Sequence, residues 1–385
     1  MKTFAFSFLF SFVLFQYTIA QPIAKRFADS EMSRFPEAWQ IDYGKAPHWG
    51  YTQGLGTLAM LKVWKKTGDE KYFQYVLKYG DHMVNPDGSI KTYKATNYNI
   101  DYINAGKILF DLYKQTGESK YRMAMDTLLS QLAKHPKTSE GVFWHKKIYP
   151  HQIWLDGIYM AGPFMAQFGS EFNQPEYIDM AIHELVVTAQ RTRDEKTGLF
   201  YHAYDESRKQ KWADKTTGHS PNFWGRAMGW YFMALVDIMD FVPVDHPDRD
   251  KVIEIIQKYA KAVTKYQDKT GLWYQVLDQG GREKNYLEAS VSSMFMYSLA
   301  KAANKNYLPA KYKKVALKAL NGLKKNLLIE NADGTLTLTK CCAVAGLGGN
   351  PYRDGSYEYY VNERIRDNDA KATGPFIMGC LELGK

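Results

Sequence analysis

Two aspartates stand out by the company they keep. Asp156 is the one acid in the run HQIWLDGIYMAGPFMAQ at residues 151–167, with Trp154 and Leu155 before it and Gly157, Ile158, Tyr159 and Met160 after it. An ionised carboxylate is expensive to desolvate among such neighbours. Asp101 holds a matching place upstream, in NYNIDYINAG. Each also reads as a helix N-cap, a position that Asp favours. A cap needs neither a Trp two residues before it nor a second acid in an equivalent place, and Asp156 has both. Two carboxyl groups in an aromatic cleft invite comparison with glycoside hydrolysis, where one serves as acid and the other as nucleophile or base. The chain carries no distance between Asp101 and Asp156, so retaining and inverting geometries both stay open. Were the two close, their like charges would raise the pKa of one, and that one could act as a general acid near neutral pH.

Other residues suited to a sugar site recur in comparable positions. Trp49 and Tyr51 open one apolar segment, and Trp224, Arg226 and Trp230 open another in FWGRAMGW. His145 and His202 lie in loops leading to two such segments. Singly, each has an ordinary reading: a satisfied histidine, a core tryptophan, an arginine stacked on indole. Their convergence is what exceeds the needs of core packing.

The segments that position these residues repeat. An apolar, small-residue helix is followed by a turn, a Lys- and Glu-rich helix, and a glycine loop. The first members run over residues 49–67, 100–116, 154–168, 223–239 and 286–303, and the loop glycines are Gly88, Gly141, Gly198, Gly271 and Gly334. Their spacings of 53, 57, 73 and 63 residues point to stacked helical hairpins. Residues 374–383, paired with a helix expected over 27–40, would make a sixth hairpin and close a ring. The expected fold is therefore all-α, an (α/α)6 barrel of six helical hairpins. Apolar helices would line its inside, and the loops before them would gather at one mouth. No Pro-, Gly- or Ser-rich linker splits residues 21–385, which read as one catalytic domain.

Residues 1–20 read as a secretory signal. Lys2 precedes an apolar run from Phe4 to Phe15, and Thr18-Ile19-Ala20 forms a small-residue cleavage site before Gln21. The run is shorter than the roughly 20 residues of a membrane span, so no membrane insertion is expected. The expected product is periplasmic or secreted. Cys341, Cys342 and Cys380 show no metal-ligand spacing and read as buried reduced thiols. The net charge is +9, and the chain carries 28 Tyr and 9 Trp. Positive charge favours an acidic partner. The basic residues are scattered on polar faces such as 311–325 and are not gathered in an arm, which speaks against nucleic acid. An acidic polysaccharide satisfies both the charge and the aromatics.

HQIWLDGIYMAGPFMA, FWGRAMGW, NYNIDYINAG and the late PYRDGSYEYY and DNDAKATGPF together resemble the unsaturated rhamnogalacturonyl hydrolases, glycoside hydrolase family 105. That family is related to the unsaturated glucuronyl hydrolases of family 88. The resemblance spans nearly all of the chain after the leader and implies an (α/α)6 barrel without metal or cofactor. It implies a substrate left by a polysaccharide lyase, an acidic oligosaccharide of a pectin such as rhamnogalacturonan with a C4=C5 double bond in its terminal uronic acid. A general acid protonates that bond and then assists water in adding at C5. The hemiketal so formed collapses, the ring opens and the sugar leaves. By the same match Asp156 is the general acid/base and Asp101 the assisting acid. Trp49, Tyr51, His145, Trp154, His202, Trp224, Arg226 and Trp230 line the substrate. Arg226 is the candidate partner for an anionic sugar.

Three other readings compete. An unsaturated glucuronyl hydrolase acting on ulvan or glycosaminoglycan fragments shares the fold and mechanism. A non-catalytic sugar-binding (α/α)6 protein has little use for two acids without a cation. A sugar epimerase on this fold is usually cytosolic, which the leader opposes.

Overall fold

The computed structural model describes residues 22–385, so the expected leader and the cleavage expected before Gln21 lie outside the described residues. The helices are α1 (Ile23–Arg34), α2 (Tyr51–Thr67), α3 (Glu70–Met83), a 3-10 segment (Ile100–Ile108) running into α4 (Leu109–Thr116), α5 (Ser119–Lys134), α6 (Leu155–Glu171), α7 (Glu176–Thr192), α8 (Gly225–Ile238), α9 (Arg249–Lys265), α10 (Ala289–Asn304), α11 (Lys311–Asn326), the short α12 (Tyr357–Asn362) and α13 (Ala370–Glu382).

Six inner helices close a ring. α2 packs on the 3-10 segment, that segment on α6, α6 on α8, α8 on α10, α10 on α13, and α13 back on α2. Each inner helix carries an outer partner, and the sixth hairpin is α13 with α1. The fold is the expected (α/α)6 barrel. Composition sorts the two layers. Every residue of α8 is buried, because both its faces meet protein. Outer α9 buries only Val252, Ile256, Tyr259, Ala260, Ala262 and Val263, the apolar stripe of an amphipathic helix.

The hairpins are joined by turns built on the five glycines named above. Gly88, Gly141, Gly198, Gly271 and Gly334 all have φ between 76° and 94°, a left-handed region that other residues enter at a cost. Packing adds a second constraint at Gly54, where a Cβ would sit 2.5 Å from the Ala105 Cα. That close approach holds α2 against the 3-10 segment.

Two expected helices differ in detail. The helix expected over 27–40 ends at Arg34, and a 3-10 stretch covers Ala38–Tyr43. Pro36 explains the break, since it disfavours helical backbone at the preceding residue. The helix expected over 100–116 is 3-10 in its first nine residues. There the Tyr102 carbonyl accepts from the Trp49 indole at 2.9 Å, which diverts it from the α-helical ladder. A 3-10 turn rises about 2.0 Å per residue against about 1.5 Å in an α-helix, so this segment reaches farther toward the mouth with Asp101 near its tip. Among the described residues no helix is long and apolar enough to cross a membrane. All three cysteines are free and buried.

Candidate active site

The amino ends of the inner helices surround a cavity of about 580 Å³ of free space. Two short ladders place its acids. Strand β1 (Gln152–Trp154) pairs antiparallel with β2 (Ala203–Asp205), with Trp154 opposite Ala203, and the Leu155 amide donates to the His202 carbonyl at 3.1 Å. Asp156 follows in the first turn of α6, where the helix dipole favours a negative charge. The Ile100 amide likewise donates to the His145 carbonyl at 3.3 Å and brings Asp101 beside residues 145–146. The repeat thus makes the same pair twice: an acid at the start of an inner helix, and a histidine from the next loop.

The pairs differ in their charges. His202 Nε2 lies 3.3 Å from Asp156 Oδ2, and Nδ1 is 2.7 Å from the Tyr360 hydroxyl. His202 Nε2 and Asp156 Oδ2 are buried and not aligned for a hydrogen bond with each other or with any other described group. Catalytic contacts are often loose before substrate binds. Among the described residues no Lys or Arg comes within 4 Å of Asp156. Asp101 instead has Lys146 Nζ at 2.6 Å and His145 Nε2 at 3.4 Å. Burial pushes the Asp101 carboxyl up, but the Lys146 ammonium outweighs it and holds the group below its ordinary value. The like-charge elevation considered for a close acid pair is therefore not what governs Asp101. Burial pushes His145 down to about 4, so its ring is neutral at neutral pH.

Aromatics set the shape. Trp154 stacks on His145, with centroids 4.6 Å apart and planes 5° apart, and on Tyr149 at 4.9 Å and 12°. Trp224 stacks on Tyr360 at 5.7 Å, and Trp230 on Tyr159 at 5.0 Å. Tyr51, Asp101, His145, Trp154, Asp156, Trp224, Arg226 and Trp230 all border the cavity.

Three of the expected site residues are engaged within the protein itself. Trp49 does not border the cavity. It is fully buried, stacked on Tyr79 and hydrogen-bonded to Tyr102, because its indole stitches α2 to the 3-10 segment. His202 stands behind Asp156, wholly buried, and meets the acid but not the cavity. Arg226 is 1% exposed and already engaged. It donates to Ser290 Oγ at 2.8 Å, to the Ala343 carbonyl and Glu288 Oε1 at 3.4 Å, to Cys341 Sγ at 3.2 Å, and closely to the Cys342 carbonyl. A guanidinium so committed ties α8 to Ser290 and to residues 341–343 at the cavity's edge.

Lys146, Tyr149, Arg353 and Lys371 border the cavity without having been singled out. Arg353 and Lys371 sit within PYRDGSYEYY and DNDAKATGPF, so the signal was present in the motifs but no role was attached to it. Lys371 pairs with Asp369 at 2.8 Å and Asp42 at 3.4 Å. Among the described residues no group of three or more His, Cys, Asp or Glu is arranged to hold a metal.

The loop that carries His145 hangs on a buried acid of α7. Glu184 Oε1 accepts from the Phe143 amide at 2.8 Å, and burial pushes its carboxyl up to about 8. A raised folded pKa binds a proton more tightly than the unfolded chain does, so this stability is full at acid pH and lost as pH rises toward 8. Glu184→Gln keeps the acceptor and cannot titrate. Its melting temperature relative to the unsubstituted protein should rise between pH 5 and pH 8. A difference independent of pH would contradict this.

A family model described as Glycosyl Hydrolase Family 88 matches residues 23–385. A solved glycoside hydrolase of family 105 from C. acetobutylicum ATCC 824 superposes with a TM-score of 0.91 at 45% identity, covering 94% of this chain and 99% of that one. The unsaturated rhamnogalacturonyl hydrolase YesR of Bacillus subtilis (strain 168) is 26% identical over 262 residues, 66% of this chain and 70% of that protein. An unsaturated glucuronyl hydrolase specific for heparin shares the fold, with a TM-score of 0.66 at 14% identity over 94% of this chain and 96% of that one.

Proposed function

The chain belongs to the unsaturated glycuronyl hydrolases of glycosyl hydrolase families 88 and 105, and from that premise we propose that it removes the terminal 4,5-unsaturated uronic acid from lyase-generated rhamnogalacturonan fragments. The observation that supports this reading is the division of charge between the two acids. Asp101, salt-bridged to Lys146, stays ionised and cannot donate a proton near neutral pH. The proton-carrying role therefore falls to Asp156, which has no cationic side chain of Lys or Arg beside it among the described residues.

In this reading Asp156 protonates C4 of the double bond and then takes a proton from the water that adds at C5. The product is a hemiketal at C5. Its collapse opens the ring, and the aglycone departs from C1. Asp101 carries fixed negative charge next to the positive charge that develops at C5 during protonation. Trp154, Trp224 and Trp230 form the apolar walls along the ring. His202, held by the Tyr360 hydroxyl, stands 3.3 Å behind the Asp156 carboxylate.

The reaction tests directly. An unsaturated galacturonyl-rhamnose disaccharide should lose its double-bond absorbance, while the saturated analogue stays intact. Comparable cleavage of both would return the protein to ordinary acid/base glycosidases. A parallel unsaturated glucuronyl disaccharide reads the sugar preference, and faster turnover of it would replace rhamnogalacturonan as the substrate.

A further inference from the structure

A second cavity, open to solvent and with about 940 Å³ of free space, adjoins the first. The two share Tyr149 and Arg353 as a common wall. Beyond that wall the lining is Ile148, Gln152, Gln210 and the turn at residues 348–351.

Arg353 is held there by neutral groups. Its Nε donates to the Gly348 carbonyl at 2.9 Å, and one Nη donates to the Leu347 carbonyl at 3.1 Å and the Tyr149 hydroxyl at 2.8 Å. The GLGG stretch at 346–349 folds around it, and a Cβ on Gly346 would lie 2.4 Å from the other Nη. That second Nη donates to no described group. The other cations bordering the active-site cavity have carboxylate partners: Lys146 has Asp101, Arg226 has Glu288, and Lys371 has Asp369. Among the described residues Arg353 has none within 4 Å. A guanidinium fixed in place with its charge uncompensated is prepared for an anion.

The rest of the second cavity suits a sugar. Gln152 is buried and spends its Oε1 on the Trp154 indole at 2.9 Å, while its amide nitrogen donates to no described group. Ile148 offers an exposed apolar face. Arg208, Lys209 and Lys211 flank Gln210 in the chain, and none has a carboxylate within 4 Å among the described residues.

We propose that the second cavity is an aglycone subsite that holds an acidic sugar downstream of the broken bond, with Arg353 taking its carboxylate. This rests on the glycuronyl hydrolase reading and extends it to chain length: the preferred substrate is an acidic oligosaccharide longer than a disaccharide. Uronic acid and rhamnose alternate in rhamnogalacturonan, so an unsaturated tetrasaccharide carries the downstream carboxylate and the disaccharide lacks it.

The test is a ratio of kcat/KM, tetrasaccharide over disaccharide. It should be at least about tenfold in the unsubstituted enzyme, as expected for one hydrogen bond to a charged group. Arg353→Gln should bring it to near one, as should Gln210→Trp, which fills the cavity. Methyl esterification of the downstream carboxylate should do the same without any substitution. A ratio near one in the unsubstituted enzyme, or one retained in both variants, overturns the proposal. Calorimetric binding of the saturated tetrasaccharide separates the subsite from the reaction. Tighter binding by the unsubstituted protein than by Arg353→Gln supports the subsite even if no double bond is hydrated, a result that would sink the hydrolase reading alone. Equal binding by the two sinks the subsite.

Discussion

Asp156→Asn should lower kcat by at least about a hundredfold, the low end for removing a general acid/base. The substitution preserves shape and keeps an oxygen toward His202. It removes the capacity to carry a proton. The fold should not suffer, because the Asp156 Oδ2 makes no hydrogen bond that the change would break. The variant should therefore melt with the unsubstituted protein and bind substrate while failing to consume its double bond. Asp101→Asn is the informative companion. It also slows the reaction, but it removes the charge that faces Lys146 at 2.6 Å in a half-buried pair, so it should cost stability as well. Loss of turnover without loss of melting temperature at Asp156, and loss of both at Asp101, is the expected pattern. Near-normal turnover in pure Asp156→Asn protein would remove Asp156 from the reaction.

Why these two acids could be found in the sequence, and their charges could not, follows from what repeats. The hairpin unit recurs, so the glycines at 88, 141, 198, 271 and 334 mark its joints, and an acid after each of two joints stands out against an apolar helix. The Asp–His pairs recur for the same reason. Lys146 breaks the symmetry. It follows His145 directly in the chain, but only the bridge that aligns residue 146 with Asn99 brings it to Asp101, and a one-residue shift would send it to the other face. Arg353 and Lys371 sat in motifs that stood out, but gained no role from them, for a related reason. Arg353 lies in a loop after α11 and Lys371 in the first turn of α13, 197 and 215 residues from Asp156, too far along the chain for local spacing to pair them with it. Trp49 misled in the opposite sense. It opens an inner helix as Trp154 does, but the 3-10 segment beside it offers the Tyr102 carbonyl, and an indole that finds a buried acceptor stays in the wall.

Arg226 shows how a residue bordering a site can still belong to the fold, and its replacement should be felt first in stability. The guanidinium joins α8 to Ser290 on α10 and to the short strand Cys341–Cys342 through the Cys342 carbonyl. Its partner Glu288 is equally occupied: Oε2 accepts from the Ser290 hydroxyl and the Val291 amide, and Oε1 from the Cys342 amide at 2.9 Å. Removing one member of such a buried pair leaves the other's charge uncompensated, at a cost of about 3–5 kcal/mol. For a chain of this length that is a fall in melting temperature of roughly 5 °C. Arg226→Ala and Glu288→Gln should share the fall, although Glu288 does not border the cavity and cannot touch substrate. Arg226→Lys keeps the charge but loses the fork that reaches Ser290 and Cys342 together, and should lie between. If Arg226 instead pairs with the uronate, Arg226→Lys would raise KM at an unchanged melting temperature, and Glu288→Gln would leave KM alone. Thermal melting and kinetics on these three variants decide between a pivot and a ligand. The commitments already made by the guanidinium favour the pivot, because a sugar carboxylate would have to displace buried protein acceptors and leave Glu288 charged and alone.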